Sequence, residues 1–357
     1  MKSMSNVRGR ETPRRGARPA RTPARSGQPR LADVAQAAGV SAMTVVRVLR
    51  EPAKVAALTR ARVQQILAET GYTPNLIARG LASNRSGLVA AVIPVLTNSL
   101  IAEIMQGLTD ALAPSGVHLL LGASGFSAAE EEVLVRAFLS RRVDGMYLTG
   151  MIHTPETIRM LARAGIPVVE GGNLGGRPID MAVGYDNVGA ARAVTRYLLG
   201  RGYRSVGYIG ADPRDNDRAR DRRRGYEGAF AAARRKPDPS LCVETTLDID
   251  AGARAMATLL ARRPSVRAVF CSADALAVGA LFECQRRGLA IPKDIAIAGF
   301  DDIPIAAQVV PSLSTLRVPR YEIGRRAGAM ICDRLAGRAV RKRVIDAGYE
   351  LVPRDSG

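Results

Sequence analysis

Only two histidines occur, His118 and His153, far apart and in no HExxH arrangement, which leaves no histidine-rich metal site. The four cysteines, Cys242, Cys271, Cys284 and Cys332, form no CxxC pair, so zinc-ribbon and thioredoxin-like readings fail. There are five lysines and none follows a glycine, so the GK[ST] phosphate loop is missing. No stretch supplies the ~20 uninterrupted apolar residues of a membrane helix. The longest apolar runs, such as Leu88–Leu96, have the length of strands. The first thirty residues are basic throughout and contain no apolar core, unlike a secretory signal. The expectation is a cytoplasmic chain with no membrane segment.

What the chain has in excess is arginine. The formal net charge of the 357 residues is +19, and its distribution is uneven. Residues 1–29 carry eight basic groups against Glu11 alone, and residues 30–85 carry eight against Asp33, Glu51 and Glu69. Twelve of the 19 charges therefore sit in the first quarter, where a polyanion, most commonly nucleic acid, is the natural partner.

The composition then changes along the chain. Residues 1–29 are Arg, Pro, Gly, Ser and Ala with almost no large apolar group, a composition expected to be disordered. From Leu31, helical spacing begins: Leu31, Val34, Ala35 and Ala38, stopped by Gly39; then Ser41 capping Met43, Val45, Val46, Val48 and Leu49; then roughly Thr59–Thr70, ended by Gly71. From Leu88 onward, short apolar runs alternate with helical stretches, with a gap after Glu170. This βαβ train predicts parallel sheets covered on both faces, divided into two doubly wound halves with a cleft between them.

Leu31–Leu49 reads LADVAQAAGVSAMTVVRVL, which is helix, tight turn, helix. A second helix presented in this way reads bases in the major groove with its N-terminal residues. Ala42, Met43 and Arg47 face outward for that role, while Ser41, Thr44 and the helix N-terminus suit phosphate. Any small three-helix bundle shares the bare pattern.

The residues D-V-A-x-x-A-G-V-S-x-x-T-V-x-R-V-L (Asp33 to Leu49), followed by G-Y-x-P-N-x-x-A-R-x-L (Gly71 to Leu81), are similar to the DNA-binding end of the lactose-repressor (LacI-type) family. With the two-lobed region behind it, the resemblance covers nearly the whole chain from Arg30. Val46 and Arg30 stand where the family usually carries serine and threonine. The resemblance implies an all-α helix-turn-helix domain joined to an α/β core like that of periplasmic sugar-binding proteins. The expected boundaries are a tail at 1–29, a helix-turn-helix domain at 30–73 and a hinge helix and linker at 74–85. Behind these, 86–186 plus 316–339 form one core subdomain and 187–315 plus 340–357 the other. It further implies binding of operator DNA as a homodimer, with Asn75, Arg79 and Leu81 contacting DNA from the hinge and Leu81 wedging into the minor groove. An ordinary interdomain linker leucine is the other reading of Leu81. No leucine heptads follow Leu335, so a dimer rather than a tetramer is expected.

The strings Val143–Glu170, Asp180–Asn187 and Val269–Pro292 resemble the gluconate-operon repressor branch and imply a sugar acid as effector. A carboxylate asks for arginine, whose planar fork grips two oxygens. The segment Asp212–Arg224, read as the loop after a strand, holds six arginines. Arg222 matches the arginine with which relatives hold sugar hydroxyls or carboxylate, and Arg218 is a second donor. Asp301 matches the family's ligand-binding aspartate. Phe270 matches an aromatic ring that lines the ligand face, or else is core. Asp274 is either a helix N-cap or an acceptor. Glu170 is either a ligand contact or a salt-bridge partner of the arginine loop. His153 is either a surface loop residue or a ligand contact. Asn98 and Ile101, after the first strand, face the same cleft. Ala273 stands where many sugar-binding relatives have asparagine.

Two other classes compete with a regulator. A periplasmic-type binding protein fits poorly with the basic helical front. An α/β enzyme would need a general base, nucleophile or metal cluster. No catalytic residue, metal or cofactor is expected, since the sequence has two unclustered histidines and no GxSxG.

Overall fold

The computed structural model describes residues 29–72, 85–96 and 99–357. The tail to residue 28, the hinge candidates Asn75, Arg79 and Leu81, and the cleft candidate Asn98 lie outside the described residues. Contacts divide the chain into two compact units, Met1–Asn75 and Leu76–Gly357.

The first unit holds α1 (Leu31–Ala37), α2 (Ala42–Arg50) and α3 (Ala57–Thr70). Arg30 has no acceptor side chain to cap α1, so Asp33 reaches back and accepts from the Arg30 amide at 2.7 Å. Gly39 adopts φ +62°, which the turn requires and a β-carbon resists. Ser41 Oγ accepts from the Thr44 amide at 3.1 Å and caps α2, an interaction worth ~1 kcal/mol. The core is Val34, Ala35, Ala38, Val45, Val48 and Val63. These small and branched side chains let three short helices approach closely. Gly71, left-handed at φ +61°, ends α3.

The second unit contains two parallel sheets. The first subdomain's strands are β1 (Leu88–Ile93), β2 (His118–Ala123), β3 (Gly145–Thr149), β4 (Val168–Gly171) and β5 (Met181–Gly184). Its helices are α4 (Ser99–Leu112), α5 (Ala128–Ser140) and α6 (Pro155–Ala164). The second subdomain runs α7 (Asn187–Gly200), β6 (Gly207–Gly210), α8 (Asp217–Ala232), β7 (Cys242–Glu244), α9 (Ile249–Arg262), β8 (Ala268–Cys271), α10 (Asp274–Arg286) and β9 (Ala296–Ala298). The chain then crosses back through β10 (Thr315–Arg317) and α11 (Arg320–Leu335), and ends with β11 (Val344–Asp346) and β12 (Glu350–Val352). The sheet orders are β11-β5-β4-β3-β1-β2 and β7-β6-β8-β9, with β10 and β12 paired antiparallel. Strands such as LVAAVI of β1 are buried on both faces because helices cover both sides of each sheet.

Helices α4 and α11 cross backbone to backbone. A β-carbon at Gly107 would overlap the Tyr321 carbonyl, and one at Gly324 would overlap the Ile104 carbonyl. This contact seats α11 firmly in the first subdomain.

The structure corrects three expectations. Met181–Gly184 is a buried strand in the stretch passed over as a gap, because four residues are too few to show a period. Helix α8 begins at Asp217, well before the expected Arg224. Its first turns are nearly all charged, so hydrophobic spacing is silent there, although arginine is a good helix former and Asn216 caps the helix through the Ala219 amide at 3.2 Å. Val344–Asp346 pairs in parallel with β5, so part of the segment 340–357 assigned to the second subdomain completes the first sheet instead. Only the end of the chain returns, with Ser356 Oγ donating to the Ile297 carbonyl at 2.7 Å.

Candidate functional site

On the helix-turn-helix unit, the hydrophobic face of α2 buries Val45 and Val48. The opposite face therefore leaves Ala42, Met43 and Arg47 exposed, with Met43 67% accessible. Ser41 is exposed as well, and its hydroxyl lies 2.9 Å from that of half-buried Thr44. The five sequence candidates on α2 and its cap thus lie on the side of the helix away from Val45 and Val48.

In the core, the carboxyl ends of the strands converge on a cleft of about 710 Å³, open solvent at its mouth included. Ile101 and Ile104 of α4 supply an apolar wall, joined by Tyr185 after β5, Ser272 after β8 and Asp301 after β9. Arg218 and Arg222 enter from α8, one turn apart and on the same face.

Arg222 is buried and held on several sides. Its Nε donates to Asn187 Oδ1 at 3.0 Å, Nη1 to the Ser272 carbonyl at 2.6 Å and Nη2 to the Tyr185 hydroxyl at 2.8 Å. Its guanidinium lies 3.9 Å from the centre of the Phe300 ring. Asp301 Oδ1 stands 3.6 Å from Nη2, too far for a hydrogen bond. That oxygen is one of three buried side-chain polar atoms without a partner among the described residues. Burial pushes the Asp301 carboxyl up to about 7, against the pull of Arg222. Arg218 is oriented by Asp217, to which its Nη1 donates at 2.8 Å. Asp217 is itself held by the Asn173 side chain and the Met151 amide, each at 2.9 Å. Burial opposes the Asp217 charge, yet Arg218 and these two donors keep its carboxyl below the usual range.

Of the residues singled out from sequence, Ile101, Arg218, Arg222 and Asp301 meet at this cleft. Ala273, where many sugar-binding relatives have asparagine, lines it too, while Phe270, Asp274, His153 and Glu170 are placed elsewhere. Phe270 is fully buried behind the cleft, stacked edge-on to Tyr208 with centroids 5.6 Å apart. Asp274 is neither the N-cap, which is Ala273, nor a lining residue. Its oxygens accept from Thr315 Oγ1 at 2.5 Å and from the Ile303 amide at 2.9 Å, and burial raises its carboxyl to about 6. His153 lies in the loop after β3, but its side chain is buried between two glutamates, with Nδ1 2.6 Å from Glu131 and Nε2 3.2 Å from Glu170. Burial works against its charge, but the two carboxylates raise the imidazole to about 9. Glu170 therefore pairs with His153 and with the Ile179 amide at 2.5 Å, not with the arginine segment.

Four of the six arginines there also point away from the cleft. Arg214 pairs with Asp212, Arg223 with Glu227 and Arg224 with Asp221, while Arg220 is exposed. Asn187, Tyr185 and Ser272, which lie in the strings Asp180–Asn187 and Val269–Pro292 without a role of their own in the sequence reading, hold Arg222. Tyr185 and Asn187 merely follow a short apolar run, and only the fold brings them to α8. Among the described residues no group of three or more His, Cys, Asp or Glu could hold a metal ion, and no single helix is long and apolar enough to cross a membrane.

Residues 30–75 match the family of bacterial regulatory proteins, lacI family, and residues 195–357 match the periplasmic binding protein-like domain. The chain is 36% identical over 326 residues to the HTH-type transcriptional regulator GntR of Escherichia coli, covering 91% of this chain and 98% of that protein. It is 38% identical to the GntR regulator of Pseudomonas aeruginosa, covering 93% of this chain and 96% of that one. Among solved structures, a LacI-family transcriptional regulator from Silicibacter pomeroyi superposes with a TM-score of 0.85 at 33% identity, covering 92% of this chain and 98% of that one. The chain therefore belongs to the lacI family of bacterial regulatory proteins and is a DNA-binding transcriptional regulator, not an enzyme.

Proposed function

We propose that this regulator is a cytoplasmic repressor that binds a near-palindromic operator as a homodimer, its affinity set by a gluconate-like sugar acid in the core cleft. The observation that carries the effector reading is the gap between Arg222 and Asp301. A hydroxyl oxygen ~2.8 Å from each fits a 3.6 Å separation, accepting from Nη2 and donating to the orphaned Oδ1. A carboxylate cannot donate to that oxygen, and it is repelled once Asp301 ionises. The polyol part of the effector therefore lies at Arg222 and Asp301, and its acid group lies toward Arg218. The apolar wall of Ile101 and Ile104 receives the carbon chain. The resemblance of Val143–Glu170, Asp180–Asn187 and Val269–Pro292 to the gluconate-operon repressor branch supports the same ligand class.

Calorimetry with D-gluconate and 2-ketogluconate tests the reading. Wild type binds at least one acid, and Arg218→Ala loses a charge-assisted hydrogen bond worth ~1.5–3 kcal/mol, or roughly tenfold to a hundredfold in affinity. Binding of neither acid by wild type would discard the effector class. Undiminished affinity in Arg218→Ala would place the carboxylate elsewhere.

A further inference from the structure

The loop that carries Asp301 has an unusual backbone. Asp301 and Asp302 are consecutive non-glycine residues at φ +118° and +54°. Such conformations persist only where the surroundings over-determine them. On one side, Asp302 accepts from Arg317 Nε and Arg354 Nη2, each at 2.7 Å. On the other side stands Arg320, the first residue of α11, which is 7% exposed.

Four of the five N–H groups of Arg320 are used. Nε and Nη2 grip Glu103 of α4 at 3.0 and 2.9 Å in a bidentate pair. Nη1 donates to the Asp301 carbonyl, and Nη2 also reaches the Asp302 carbonyl at 3.2 Å. Helices α4 and α11 are locked together at Gly107 and Gly324 within the first subdomain. The turn belongs to the second, where the Asp301 amide donates to the Leu316 carbonyl at 2.8 Å. One guanidinium, braced on the first subdomain, thus holds the strained turn of the second next to the crossover strand.

We infer that Arg320, oriented by Glu103, is the positioning residue for Asp301: it fixes the turn that aims the unpartnered Asp301 oxygen into the cleft, and links that turn to helix α4 of the other subdomain. A hinge movement of the subdomains must stretch or redirect these bonds, so the strength of the effector contact and the angle between subdomains depend on the same side chain. Lysine does not replace it, because a single ammonium cannot face a carboxylate and two carbonyls with planar geometry.

The test has one arm that needs no effector and one that rests on the effector reading above. In full-length protein, hydrogen exchange followed by mass spectrometry reads the amides of Gly299, Asp301 and Ile303, all hydrogen-bonded in the wild type. Arg320→Met and Arg320→Lys should exchange there roughly tenfold faster or more, with β6 and β8 unchanged, and the milder Glu103→Gln should show a smaller acceleration. In the second arm, Arg320→Met should weaken D-gluconate binding about tenfold in the wild-type background but less than about twofold when Asp301 is already asparagine. Unchanged exchange at the turn, or acceleration spread evenly over the second subdomain, overturns the proposal. So does an equal loss of gluconate affinity in both backgrounds. If gluconate does not bind the wild type, the effector reading falls, and the exchange result alone decides whether Arg320 holds the turn.

Discussion

Replacing Asp301 with asparagine removes a charge while keeping the shape, and asparagine tolerates a left-handed backbone as aspartate does. Burial holds the folded carboxyl at about 7, whereas an unfolded aspartate titrates near ~3.9. The folded state therefore binds this proton more tightly than the unfolded state. The stability of the wild type falls on this account as pH climbs from about 4 to about 7. At ~1.4 kcal/mol per pH unit, the interval from about pH 5 to about pH 7 holds on the order of 3 kcal/mol. The asparagine variant lacks that loss. Asp274, raised to about 6 by its own burial, is present in both proteins and cancels. Between about pH 5 and about pH 8 the stability difference should move toward the variant by on the order of 3 kcal/mol, or ~6–12 °C in melting temperature. Scanning calorimetry of both proteins across this range at constant ionic strength reads it directly. Parallel pH profiles would mean that Asp301 ionises as an ordinary carboxyl, and the reading of a desolvated, unpartnered oxygen opposite Arg222 would be refuted.

Two further outcomes follow from the same geometry. Arg47→Ala, on the exposed face of α2, should cost ~1–3 kcal/mol on an operator selected from random palindromes and blur the sequence preference; equal affinity and selectivity in an anisotropy titration would move recognition off this helix. His153→Gln leaves Glu131 and Glu170 facing each other without a cation between them and should destabilise the core by ~3–5 kcal/mol near neutral pH. Because the folded imidazole is raised to about 9, its contribution is whole below ~6.5 and fades as pH rises toward about 9, so the deficit in chemical denaturation should shrink in alkali, and a deficit independent of pH would contradict the buried imidazolium.

Local chemistry was legible without coordinates. The turn at Gly39, the Ser41 cap and the outward stripe of Ala42, Met43 and Arg47 depend on residues within a few positions of one another, where spacing and propensity act alone. The alternation of apolar runs and helices likewise announced parallel sheets. The resemblance to the lacI family pointed to Arg222 and Asp301, and the density of arginine in Asp212–Arg224 put Arg218 forward as a second donor.

Tertiary structure decided what depended on partners distant in sequence. His153 read as an exposed loop residue or a ligand contact because nothing nearby reveals that Glu131 and Glu170 close on its side chain from a helix and a strand. Asp274 read as a cap or a ligand acceptor because its bond to Thr315 spans 41 positions. The six arginines of Asp212–Arg224 look alike in sequence, and only the rotation of α8 turns Arg218 and Arg222 inward and Arg220, Arg223 and Arg224 toward solvent or neighbouring side chains, while Arg214 pairs with Asp212 ahead of the helix. The strand Val344–Asp346 pairs with β5 across some 160 residues because the chain crosses the hinge more than once. Arg320 and Glu103 lie 217 positions apart, and their meeting at the Asp301 turn is set by the glycine-mediated crossing of α4 and α11. Sequence carried the periods, caps and charges of each element, and packing chose which of the exposed-looking charges would be buried together.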